Sequence, residues 1–101
     1  MTETDTELDK RRKRLKFRSW HRGMREMDFL IGRFADRNID VFSERQLDLF
    51  EALLHETDPD LYGWITDRQP IPQGLNHDVM RLLKTFTLSA GPFRKGRRRA
   101  G

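Results

Sequence analysis

Between residues 24 and 37 the apolar side chains return at the period of an α-helix. Met24, Met27, Leu30, Ile31, Phe34 and Ala35 fall on one face, and the charged residues fall on the other. A helix with so apolar a face has to lay it against other elements. A sheet is not on offer, because alternation of apolar residues is absent outside Ile39 to Val41, which is too short to build one. The stripe therefore has to be covered by further helices. A chain of 101 residues supplies one domain with one modest core.

The remaining punctuation fits that requirement. From Thr6 to about Trp20 the sequence is rich in Leu, Lys, Arg and Glu and free of Pro and Gly, which favours helix. Its apolar edge is thin, with Leu8, Leu15 and Ser19 on one side and Phe17 nearly opposite. Gly23 stands where a left-handed helix C-cap is expected. Asn38 to Phe42 reads as a connector. Ser43 followed by Gln46 is a capping box, opening a third helix with Leu47, Phe50, Leu53 and Leu54 inside and an end near Thr57. Asp58-Pro59 reads as an N-cap with proline at the first helical position, starting a short helix that runs to about Asp67. Pro70, Pro72 and Gly74 interrupt the chain. Asn76 is placed to cap a last helix with Val79, Leu82, Leu83 and Phe86 as its core stripe. The expected fold is all-α, a small five-helix bundle over residues 6–90. Flexible termini flank it: a disordered start at 1–5 and a basic flexible tail at 91–101.

Charge is distributed unevenly. Residues 10–22 hold eight basic side chains and no acid, and the tail adds Arg94, Lys95, Arg97, Arg98 and Arg99. Residues 23–93 carry seven basic and twelve acidic residues, a net of −5. The formal net charge of +4 therefore describes basic ends on an acidic body. No cysteine is present, so disulfides and thiolate metal sites are excluded. No apolar run approaches the roughly 20 residues that span a bilayer. The first residues lack the apolar core of a secretory signal and are too acidic for a mitochondrial transit peptide. The expectation is a cytoplasmic protein of a bacterial type, and a monomer.

Catalytic chemistry finds little to stand on. His21, His55 and His77 have no second ligand at i, i+4, so they read as surface or helix-end histidines rather than metal ligands. Ser19, Ser43 and Ser89 lie in no nucleophile-elbow context. Gly23, Gly32, Gly63 and Gly74 are isolated, so no glycine-rich phosphate loop exists. Glu26 and Asp28 are about 200° apart on a helix and cannot face one another as an acid/base pair. Without a strand–turn–helix unit the chain is not expected to hold FAD in the usual manner.

One residue breaks the amphipathic pattern. Phe29 projects with Glu26 and Arg33 away from the core stripe. It lies just after the run Arg14-Leu15-Lys16-Phe17-Arg18-Ser19-Trp20-His21-Arg22-Gly23-Met24-Arg25-Glu26-Met27-Asp28. That run resembles the signature of the succinate dehydrogenase flavinylation (FAD assembly) factor family. In that family an Arg-Gly pair is followed by Glu three residues after the Gly and Asp two further on; here these are Arg22, Gly23, Glu26 and Asp28. Asp58-Pro59-Asp60-Leu61-Tyr62-Gly63-Trp64-Ile65 is similar to the family's second segment. The likeness spans roughly residues 12–88.

The resemblance implies a five-helix, non-enzymatic assembly chaperone. Its partner would be the flavoprotein subunit of succinate dehydrogenase, in some members also that of fumarate reductase. It would promote the bond between FAD and a histidine of that subunit, with FAD belonging to the partner and no cofactor or metal held by this chain. The expected partner-binding residues are Arg22, Gly23, Glu26, Asp28, Phe29 and Arg33. Gly23 lets a partner backbone approach, and Arg22 offers a planar fork to a carboxylate or carbonyl. Each also has a plain structural reading. Gly23 can simply end a helix, Glu26 can be a first-turn charge, and Asp28 can bond Arg22 or a backbone donor. The alternative function is a small nucleic-acid-binding protein using the basic first helix and arginine tail. The acidic body and the lack of a recognition-helix motif speak against it.

Overall fold

The computed structural model describes residues 6–90. The stretches expected to be flexible, 1–5 and 91–101, lie outside the described residues. Five α-helices follow in order: α1 Glu7–Trp20, α2 Arg25–Asn38, α3 Glu44–Leu54, α4 Asp58–Ile65 and α5 Asp78–Ala90. Short 3-10 turns at Ile39–Val41 and Gln73–Leu75 lead into α3 and α5. No strand occurs among the described residues. The expected all-α five-helix bundle is what the chain forms.

Helix α2 is the centre of the core. Met27, Leu30, Ile31, Phe34 and Ala35 are essentially inaccessible, as the stripe requires. The Phe34 ring meets Phe42 at 6.1 Å, Phe50 at 5.7 Å and Phe86 at 5.7 Å, so one side chain joins α2 to α3, α5 and the connector. Burying each such ring contributes about 1.5–3 kcal/mol. α1 lies along α2 by one edge, with Leu15 and Ser19 buried and Phe17 exposed. The approach of α1 to α2 is close because Gly32 has no side chain. A Cβ there would lie 2.2 Å from Trp20 Cδ2.

Several local expectations need correction, and most concern caps. Met24 is exposed, since it is the extended N-cap residue before α2 rather than the first member of its buried face. α4 is capped by Thr57, whose hydroxyl accepts from the Asp60 N–H at 3.2 Å; Asp58 and Pro59 are its first two helical residues. That helix stops at Ile65, and Asp67 turns the chain with φ 63°. At the start of α5 the cap is His77, not Asn76: its Nδ1 accepts from the Met80 N–H at 3.1 Å. Leu82 is exposed and Met80 is buried in its place. α1 gains a capping box unseen in the sequence, in which Thr6 and Asp9 exchange bonds of 3.0 and 3.2 Å. The cap errors have one origin: Thr, Asp, Asn and His all have side chains able to accept a first-turn N–H, and three-dimensional packing chooses among them.

Candidate functional site

α1 ends at Trp20, and the backbone N–H of His21 closes it on the Arg18 carbonyl at 3.2 Å. His21 Nδ1 lies 2.7 Å from the Phe17 carbonyl. A carbonyl only accepts, so Nδ1 carries the proton and Nε2 is left free. The imidazole also stacks on the Phe17 ring, centroids 4.0 Å apart. Gly23 is therefore not the cap of α1. It lies two residues further on, in the turn, with φ +119°, and nothing stands within 4 Å of where its Cβ would be. The Asp28 carboxylate folds back and accepts from the N–H groups of Arg22 and Gly23, the latter at 3.0 Å. Of the two readings left open for Asp28, the structure shows the bond to backbone donors.

Arg22 runs the other way, into the bundle. Its Nε donates to Asp58 Oδ1, its Nη1 to the Leu54 carbonyl at 3.0 Å and its Nη2 to the Glu56 carbonyl at 2.7 Å. Leu54 is the last residue of α3 and Asp58 the first of α4. A cation at a helix C-terminus and an anion at a helix N-terminus both oppose the local dipoles favourably. The Arg22 fork, expected to face a partner, is thus occupied by the fold itself. Its function here is to lock the corner between α1 and α2 onto the corner between α3 and α4. The two segments that carry the family resemblance, far apart in sequence, meet at this ion pair.

The outward side of the corner holds the other expected residues. Gly23, Glu26 and Phe29 are exposed, and Arg33 is half-buried. Arg33 lies over the Phe29 ring at 4.9 Å, and the Trp20 indole meets that ring edge-on at 6.4 Å. Trp20 is held on Gly32, with Nε1 3.4 Å from Asp36. Glu26 makes no hydrogen bond or ion pair with another described residue. Beside the corner, between the end of α1 and the α3–α4 turn, is a cleft of about 330 Å³ lined by Phe17, Arg18, His21, Arg22, Leu54, Glu56, Thr57 and Asp58. The sequence does not show this cleft, since its two walls are brought together by long-range polar contacts such as those of Arg22. The Gly32 seat for Trp20 was missed as well; its one sequence signal is a glycine in mid-helix, a costly placement that asks for a packing reason.

The cationic run of α1 has mostly internal partners. Arg11 bridges Asp48 at 2.7 Å and Glu51 at 2.9 Å, and Arg18 reaches Glu51 at 3.2 Å. Arg12 caps the connector, donating to Ile39 O at 3.1 Å and Phe42 O at 3.0 Å, and Lys16 pairs with Asp40 at 3.1 Å. The hydrogen bond from Arg11 holds the Glu51 carboxyl below its ordinary range, and Asp48 and Glu51 in turn raise the Arg11 guanidinium. The basic helix is a strap onto an acidic body, which the charge asymmetry in the sequence foreshadows. Among the described residues no group of three or more His, Asp or Glu is placed to hold a metal ion.

A family model described as "Flavinator of succinate dehydrogenase" matches residues 13–87. The FAD assembly factor SdhE of Acetobacter pasteurianus is 44% identical over 66 residues, covering 65% of this chain and 61% of that protein. The mitochondrial succinate dehydrogenase assembly factor 2 of Danio rerio is 43% identical over 82 residues, covering 79% of this chain and 52% of its own. The protein of the same name from Dictyostelium discoideum is 38% identical over 79 residues, covering 78% and 56%. The chain spans about half the length of these mitochondrial relatives.

Proposed function

We propose that this chain, which belongs to the family described as the flavinator of succinate dehydrogenase, binds the flavoprotein subunit of that enzyme and promotes covalent attachment of FAD to it. The observation that carries this reading is the clasp of Arg22 on Asp58. It fixes the α1–α2 corner from inside and leaves Gly23, Glu26 and Phe29 facing out as a rigid, ready-made contact. A surface held in one shape before binding loses less entropy on docking. Phe29, in contact with Trp20 and Arg33, is the aromatic anchor, with Glu26 beside it. Arg22 and Asp28 serve this surface from behind, as its supports.

The chain acts as a non-catalytic chaperone. Binding one state of the flavoprotein better than another shifts the population toward that state, and the attachment chemistry is then the flavoprotein's own. FAD is the partner's group rather than this chain's. The described residues contain no strand, hence no strand–turn–helix cradle for a dinucleotide, and the one cleft described is open and near the lower limit for small-ligand sites. The chain works as a monomer. The proposed residence is the cytoplasm of a bacterium, whereas several relatives are named mitochondrial. No helix among the described residues is long and apolar enough to cross a membrane. The internal pairing of Arg11, Arg12, Lys16, Arg18 and Arg22 removes most of the phosphate-binding stripe on which a nucleic-acid function would rest.

The test is genetic and direct. Cells lacking the gene should show reduced covalent flavin on the flavoprotein subunit by in-gel fluorescence, restored by the chain supplied in trans. Normal flavin loading in the deletion strain overturns the reading.

A further inference from the structure

Beside the docking corner the cleft is lined by one carboxylate without a partner, that of Glu56, and by an aromatic wall that the fold does not use; its other charged lining residues, Arg18, Arg22 and Asp58, are in ion pairs. Its cations each have an internal carboxylate partner. Arg22 belongs to Asp58 and two carbonyls, and Arg18 belongs to Glu51. Arg11 balances Asp48 and the rest of Glu51. Glu56 remains. It is half-buried, its backbone carbonyl is taken by Arg22, and its carboxylate makes no hydrogen bond or ion pair with any described residue. Phe17 lines the same cleft, 63% exposed, with one ring face covered by His21 and the other open. His21 Nε2 offers a lone pair, because Nδ1 is committed to the Phe17 carbonyl.

We propose that this cleft receives a cationic side chain, best an arginine, of the flavoprotein partner; this rests on the reading that such a partner docks at the α1–α2 corner. A guanidinium is planar, weakly hydrated and rich in donors. It stacks on the open face of Phe17 as a cation on an aromatic ring. Its N–H groups reach the Glu56 carboxylate in a charge-assisted bond, with His21 Nε2 as a further acceptor. An anionic occupant is less favoured, because Arg18 and Arg22 are already paired with Glu51 and Asp58 and the lining charge without a partner is Glu56. The cleft of about 330 Å³ suits one side-chain end rather than a folded element. It also extends the contact from the Gly23 corner across the Arg22 clasp to the α3–α4 turn.

Two measurements on the full chain test this. In the first, the flavoprotein subunit is titrated calorimetrically with the wild-type chain, Glu56→Gln, Phe17→Ala and Glu26→Ala. Neither Glu56 nor Phe17 supports the fold, so melting temperatures should match the wild type. Affinity should fall by about threefold to thirtyfold for Glu56→Gln and for Phe17→Ala, and the Glu56→Gln loss should shrink as salt rises. Wild-type affinity in both variants overturns the cleft proposal. Absence of binding by the wild-type chain overturns the proposed function instead. In the second, N-acetyl-arginine amide is titrated into the labelled chain and followed by NMR, with N-acetyl-glutamate amide as control. The Phe17, His21 and Glu56 signals should move with the arginine probe and not with the glutamate probe; equal or no movement overturns the proposal without reference to any partner. The chain's own Arg94, Lys95, Arg97, Arg98 and Arg99 are the competing occupant. If replacing those five by Ala in the full chain shifts the same signals, the cleft holds the tail and a partner arginine is ruled out as its resident.

Discussion

Arg22 holds Asp58 across 36 positions of chain, and the two side chains keep only 7% and 10% of their exposure. Such a pair is costly to desolvate, and removing one member leaves the other charge buried without a partner. Arg22→Ala should therefore destabilise the domain by about 3–5 kcal/mol, a large share of the roughly 5–15 kcal/mol that holds a small domain together. Asp58→Ala should cost less, because Arg22 keeps the Leu54 and Glu56 carbonyls. A double-mutant cycle read by urea unfolding should give a coupling of at least about 1 kcal/mol. Additive single losses would mean that the pair contributes nothing of its own.

Gly23 separates backbone strain from lost contact. Its φ of +119° is a conformation that side-chain-bearing residues rarely adopt, yet the space around it is empty. The left-handed backbone that the sequence leads one to expect at Gly23 is present, though in the turn and not at the cap of α1. Gly23→Ala and Gly23→Arg should each lose about 1–3 kcal/mol from the same strain. Only Gly23→Arg should also abolish flavoprotein binding, since only it fills the open space. Equal binding losses in calorimetry would show that the turn's shape, and not its open space, is what the partner reads.

Gly32 makes the opposite case. A Cβ there would stand 2.2–2.7 Å from three atoms of the Trp20 indole, so the ring must leave its seat. Gly32→Ala gains helix propensity of about 1 kcal/mol, but it overpacks the α1–α2 contact at a cost of about 1–3 kcal/mol. The expected result is a net loss in thermal unfolding and a changed tryptophan emission, because Phe29 and Asp36 lose their indole neighbour. An unchanged spectrum with a higher melting temperature would show that α1 can shift away freely.

Arg22, Gly23 and Gly32 differ in how far the sequence reveals them. The stripe from Met27 to Ala35 required a helical core and obtained one, because burial of a periodic face depends on the pattern itself and not on which partner covers it. The outward position of Phe29 followed from the same period. What pattern could not reveal were long-range polar choices. Arg22 has equal chemical reason to face a partner carboxylate or an internal one, and only the approach of the α3–α4 turn decides. The eight basic residues of 10–22 look like a free phosphate stripe until α3 brings Asp48 and Glu51 beside them. The selection of Thr57 over Asp58 as a cap is of the same kind: it frees Asp58 for Arg22.

Stability should depend on pH through His77. Its Nδ1 accepts the Met80 N–H, its Nε2 is buried with no partner, and burial pushes its pKa below the ordinary 6.5. Asp78 opposes that shift, while Arg45 and Arg81 add to it. A depressed folded pKa means that the unfolded chain takes up the proton first. The contribution is thus fully present above pH 6.5 and is lost as pH falls through the folded value. Urea unfolding at about pH 7.5 and about pH 5 should show the drop, and His77→Ser, which keeps a cap acceptor without the charge, should remove it. A second loss, below pH 4.5, belongs to Glu51, whose pairing with Arg11 is broken by protonation. If His77→Ser leaves the upper transition in place, another group is responsible.

Glu26 is the residue whose loss should matter to function and not to folding. It is exposed in the first turn of α2 and bonds to no described residue. Removing its charge from a helix N-terminus costs about 0.3–1 kcal/mol at most, too little to unfold the domain. Beside it, Phe29 is fixed by Trp20 and Arg33, so the surface around the missing carboxylate keeps its shape. Cells relying on Glu26→Ala should therefore contain the protein at normal level but show weak covalent flavin fluorescence on the flavoprotein subunit. Glu26→Gln, which keeps the size and one acceptor, should fall between the two if the partner contributes a hydrogen-bond donor, and match Glu26→Ala if the partner contributes a charge. Full flavin loading in Glu26→Ala at normal protein level would take Glu26 out of the contact and leave Phe29 and Gly23 as its centre.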